Sequence, residues 1–92
     1  MDSAIRKNSL ELKSEAITSA FATLKFFDGE REIFKLLEAT RCLEYIFRSE
    51  LRPALEEIRR GLTAGSKEAR REAVASALVE VEDHLRYCGY IG

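Results

Sequence analysis

Residues 30–60 read EREIFKLLEATRCLEYIFRSELRPALEEIRR, and the fold turns on whether they form one helix. Taking about 100° per residue from Ile33, the side chains of Leu37, Thr40, Glu44, Phe47, Leu51, Leu55, Ile58 and Leu62 all return within about 40° of it. Leu36 and Ala54 widen this helical stripe on one side. Phe34, Cys42, Tyr45 and Ile46 fall on the other side of the cylinder, so the first half of the run is apolar around most of its circumference. A surface helix needs only one buried face, so the second must meet a neighbouring helix or another chain. Glu44 is the odd member of the stripe. With Thr40, it is expected where the core opens to water or pairs across an interface.

Pro53 interrupts the run. Inside a helix, proline removes a hydrogen bond and clashes with the preceding turn. The periodicity nevertheless continues in phase, which fits a bent continuous helix or two helices meeting near Ser49–Arg52.

Upstream, Leu10, Ile17, Ala20, Phe21, Leu24 and Phe27 have helical spacing, and Asn8 with Glu11 has the spacing of a capping box. FDGE (residues 27–30) ends that helix, Gly29 supplying positive φ and Asp28 a cap for the next helix. Downstream, Gly61 and Gly65 break the run, and Thr63 or Ser66 caps a last helix starting near Lys67. Its stripe is Val74, Leu78, Val81, Leu85 and Cys88, flanked by Ala73 and Ala77, whose small size lets another helix approach closely. Gly89 suits the position just past the C-cap, with Leu85 and Tyr90 spaced for the contact that accompanies a Schellman motif. The expected fold is all-α: one domain over 1–92, an antiparallel three-helix bundle with helices at about 9–27, 30–60 and 67–88. Its middle helix is long and bent at Pro53.

The totals bound the function. Ninety-two residues make one domain at most, with a modest core that partner surface would help to complete. Fifteen basic against 16 acidic residues leave a net charge of −1, which opposes strong attraction of the whole chain to nucleic acid or anionic lipid. The start, MDSAIRKNS, is polar, and no apolar run reaches membrane-spanning length. Two cysteines, Cys42 and Cys88, make no disulfide framework, and a reducing, cytoplasmic location is expected.

No glycine-rich phosphate loop, nucleophile elbow, CxxC or Glu-x-x-His motif is present. No catalytic residue, cofactor or metal site is therefore expected, and the chain is not expected to be an enzyme. Glu80, His84 and Cys88 do put a carboxylate, an imidazole and a thiol on one helical face. Over successive turns they span about 12 Å, too far for all three to hold one ion. Cys88 is better read as a small buried residue and His84 as a boundary residue near the negative end of the helix dipole.

Two function classes remain. The surplus of Phe34, Cys42, Tyr45, Ile46, Tyr87, Tyr90 and Ile91, with Phe26 and Phe27, suits a protein-contact surface. The primary expectation is a non-enzymatic helical interaction module that pairs with itself, acting as adaptor, regulator or assembly component. The alternative is a small nucleic-acid-binding regulator using Arg59, Arg60, Lys67, Arg70 and Arg71 around the last turn. Glu56, Glu57, Glu68 and Glu72 interleave with those cations and offset them.

Overall fold

The computed structural model describes residues 2–91, with side chains from Lys13 onward. It is all-helical: α1 (Asp2–Lys25), α2 (Ile33–Phe47), a 3-10 turn (Arg48–Glu50), α3 (Arg52–Gly61) and α4 (Lys67–Tyr87). Four helices replace the expected three. The middle run is not one helix bent at Pro53; it reverses direction. Arg59 Nε reaches Thr40 Oγ1 at 3.3 Å across 19 positions, which would be about 28 Å apart on a continuous helix. α2 and α3 therefore form a hairpin. Helix contacts run α1–α2, α2–α3, α3–α4 and α1–α4. Each helix thus has two neighbours in a ring, and α2 stands diagonal to α4.

The reversal has local causes. Arg48 takes φ 51 and ψ −123 and closes α2 by donating its N–H to the carbonyl of Glu44. Pro53 then occupies the first turn of α3, where a missing N–H costs nothing and the fixed φ is already helical. Its ring would collide with the carbonyl four residues back, and Ser49 lies in the 3-10 turn, off the α-helical ladder.

At the other joints, Asp28 does not cap α2. Its Oδ1 accepts the N–H groups of Glu30 and Arg31 at 2.9 and 2.8 Å, closing the turn that precedes the helix. Those backbone donors hold the Asp28 carboxyl below its ordinary value. The N-cap of α2 is Glu32, at φ 58. Gly29, at φ 95, brings this turn against the start of α4, where a Cβ would stand 2.1 Å from the Lys67 carbonyl oxygen. Ser66 caps α4, its side chain accepting from the N–H of Ala69 at 3.1 Å. At the far end Gly89, at φ 83, completes a Schellman motif. Its N–H bonds the Arg86 carbonyl and the Tyr90 N–H bonds that of Leu85. α1 is helical upstream of Asn8, so Asn8 does not start it. The Asn8–Glu11 pairing and Leu10 lie outside the described side chains.

The core draws on every helix. Ile17, Phe21 and Leu24 come from α1, Leu36, Leu43 and Phe47 from α2, Leu55 and Ile58 from α3, and Val74, Val81 and Leu85 from α4. Each fully buried Leu or Ile contributes roughly 1.5–3 kcal/mol relative to exposure. α3 and α4 approach closely at Gly61, where a Cβ would sit 2.4 Å from that of Ala73. Cys88 departs from the expected stripe and is exposed, because α4 ends at Tyr87 and the chain turns away there.

Candidate interaction surface

Glu44 finds its partner within the chain. The Arg59 guanidinium donates Nη1 to Oε1 and Nη2 to Oε2, both at 3.2 Å. Thr40, fully buried, accepts from Arg59 Nε and donates to the Leu37 carbonyl at 2.7 Å. The Arg59 hydrogen bonds hold the Glu44 carboxyl below its ordinary value; partial desolvation opposes them, and the charges of Arg59 and Arg52 add a smaller pull. Among the described residues, no buried side-chain nitrogen or oxygen lacks a partner. The polar members of the α2 stripe therefore join two helices of one chain.

This network takes Arg59 out of the basic turn. Arg70 is committed too: its Nε donates to the Gly29 carbonyl at 2.6 Å and its Nη1 to that of Ala64 at 2.9 Å, tying both loops to α4. Lys67 lies 3.9 Å from Glu30 in a loose surface pair. Of the five cations, Arg59 and Arg70 are thus bonded within the fold, and Arg60, Lys67 and Arg71 are exposed.

His84 links α4 to the 3-10 turn. Its Nε2 lies 2.8 Å from Glu50 Oε2 and 3.6 Å from Cys88 Sγ. Its ring packs edge-on against Phe47 at 5.1 Å. Glu80 is exposed and takes no part. Among the described residues no three His, Cys, Asp or Glu side chains converge on a point that suits a metal ion.

The apolar candidates divide. Tyr90 and Ile91 fold back onto the core, with Tyr90 edge-on to Phe47 at 5.9 Å. Ile46 packs partly on the same core, and Cys42 lines the groove between α1 and α2. Phe34, Tyr45 and Tyr87 stand in water, 84%, 81% and 89% exposed, and Phe26 joins them at 78%. α2 shows why. With about 100° per residue, Leu36, Ala39, Leu43 and Phe47 gather on the inner side, and Phe34, Arg41 and Tyr45 line the opposite one within about 40°. Past the helix end, Arg48 and Arg52 join them: Arg41, Glu44, Tyr45, Arg48 and Arg52 line one open depression of about 530 Å³.

Arg41, Arg48 and Arg52 belong to no motif and no compositional bias. Their trace in the sequence is the spacing of Arg41, Tyr45, Arg48 and Arg52, by four, three and four, beside the apolar stripe. No helix of the described residues is long and apolar enough to cross a membrane. No protein-family model, curated protein or solved structure matches the chain.

Proposed function

We propose that the chain is a non-enzymatic helical protein–protein interaction module that pairs with itself and serves as an adaptor, regulator or assembly component. The carrying observation is the exposure of Phe26, Phe34, Tyr45 and Tyr87 around a core that closes without them. Each aromatic side chain can bury roughly 150–250 Å² against a partner. Tyrosine and phenylalanine are enriched at interface centres for that reason. Val79 stands on α4 at 56% exposure, two turns before Tyr87. That half of α4 is the surface for a second copy, since a two-fold contact across the outer face of α2 would bring Arg41, Arg48 and Arg52 near their own counterparts.

Light scattering on the purified chain over a wide concentration range tests this reading. A concentration-dependent dimer that Tyr87→Ser shifts to monomer is the expected result. A monomer at every concentration would remove the self-pairing. If affinity purification from the native cell also recovered no bound protein, the interaction reading would fall with it.

A further inference from the structure

We propose that the outward face of α2 docks an acidic segment of a partner protein, Arg41, Arg48 and Arg52 taking its carboxylates and Tyr45 an apolar side chain between them. The proposal rests on the interaction-module reading and names the chemistry of the partner.

Charge carries the argument first. The chain as a whole has net charge −1, yet three guanidiniums and one carboxylate line this depression. That carboxylate, Glu44, is already bonded by Arg59 from α3, so guanidinium outweighs carboxylate along this depression. Among the described residues none of the three arginines makes an ion pair.

Shape narrows the ligand. Arg41 and Arg48 are separated by about 10 Å along the helix axis, and Arg52 lies beyond the turn. Cations strung out in this way match several carboxylates spaced along a peptide better than a single phosphate held at one point. A nucleic-acid backbone needs a longer run of positive surface, and here Glu38 lies on the same side of α2, beside Arg41. A second copy of the chain would present arginine to arginine. Arginine with exposed tyrosine is also the composition on which interface energy concentrates.

Fluorescence anisotropy with a short labelled peptide of alternating glutamate and leucine pairs tests the proposal. Saturable binding that weakens as salt rises is expected, and the same peptide with glutamine for glutamate should bind at least about tenfold more weakly. Arg41→Glu combined with Arg52→Glu should raise Kd by at least about tenfold with the circular dichroism of the chain unchanged, while the paired lysine substitutions keep part of the affinity. Tyr45→Ala should weaken binding severalfold. Chemical-shift mapping on the unsubstituted chain removes dependence on any variant: shifts confined to residues 41–52 support the site, and shifts elsewhere overturn it. Equal affinity for the glutamate and glutamine peptides, or tighter binding of single-stranded oligothymidine than of the glutamate peptide, would also overturn it. If the glutamate peptide fails while Tyr87-dependent pairing persists, the acidic-partner inference alone falls.

Discussion

Glu44 and Arg48 each contradict their local surroundings, one as a carboxylate on a core-facing stripe and the other as an arginine on a glycine-type backbone. For Glu44 the resolution is Arg59, and it has a pH signature. The folded carboxyl lies below its ordinary value of 4.5, so on acidification the unfolded chain takes up the proton first. The pair's contribution is complete above that ordinary value and is lost as pH falls through the lower folded one. Glu44→Gln should therefore flatten the acid limb of urea midpoints measured from neutral pH downward. The remaining slope should shrink further with Asp28→Asn, because Asp28 is shifted in the same direction. An acid limb identical to that of the unsubstituted chain would contradict the assignment. Glu44→Leu should lower stability at neutral pH, since it strands the Arg59 guanidinium, 28% exposed, against the core. Arg48→Gly should act in the opposite sense. Releasing the positive φ stabilises by about 1 kcal/mol, read as a raised urea midpoint, while one of the three cations of the outer face is lost. A lowered midpoint would show that the arginine itself holds the turn.

At the scale of helices, the α3–α4 pair rests on a missing side chain. Gly61 faces Ala73 so closely that an added methyl would overlap it. Gly61→Ala must push the helices apart, at a cost of roughly 1–3 kcal/mol even though alanine is the better helix former. Ala73→Gly alone should cost about 1 kcal/mol through helix propensity. The double substitution should cost clearly less than the sum of the two, and additive costs in denaturant unfolding would show that the helices do not meet there. The sequence exposed much of this level: Gly61 as a stop, Ser66 as a cap, Gly89 as a terminator, and the small residues of α4 as a place of close approach. It concealed the reversal between α2 and α3. A periodicity projects every residue onto one cylinder, and the turn between Phe47 and Arg52 happens to preserve the phase of the stripe. Two antiparallel helices facing one core therefore read as a single long helix. Two marks stood against that reading: Pro53, which also fitted two helices meeting near Ser49–Arg52, and the carboxylate of Glu44, which Arg59, 15 positions on, can reach only if the chain folds back. Pro53 marks the start of α3 more than it enforces the reversal. Pro53→Ala should leave the helix content by circular dichroism unchanged and lower stability by no more than about 1 kcal/mol, the entropy that proline removes from the unfolded chain. A clear gain in helix content would mean that proline alone separates α2 from α3.

Across the whole molecule, the ring of contacts sets α2 and α4 on opposite corners, so their outer faces point away from each other. The two faces differ in kind. α4 offers Val79 and Tyr87, and α2 offers a tyrosine among arginines. Exposed aromatics could be suspected from a surplus of apolar residues over what a small core covers. Which of them stay exposed could not, because Tyr90 and Ile91 return to the core only through the turn at Gly89, and Cys42 and Ile46 are shielded by a neighbouring helix and the core. The arginine face was still less legible: surface arginines are ordinary, and the pairing of Glu44 with Arg59, which tips this face toward positive charge, exists only once the chain folds back. The separation predicts independent behaviour under salt. The proposed pairing through α4 would depend on apolar burial and should persist as ionic strength rises, since the Debye length shortens from about 10 Å at 0.1 M to about 3 Å at 1 M without weakening apolar contact. Docking of an acidic peptide on α2 should fade over the same range. Sedimentation of the labelled peptide with the chain, at rising sodium chloride, reads both at once. The expected course is a dimer carrying one peptide per subunit at low salt and the same dimer without peptide at high salt. Peptide and dimer lost together would place both contacts on one face and refute the diagonal division of labour.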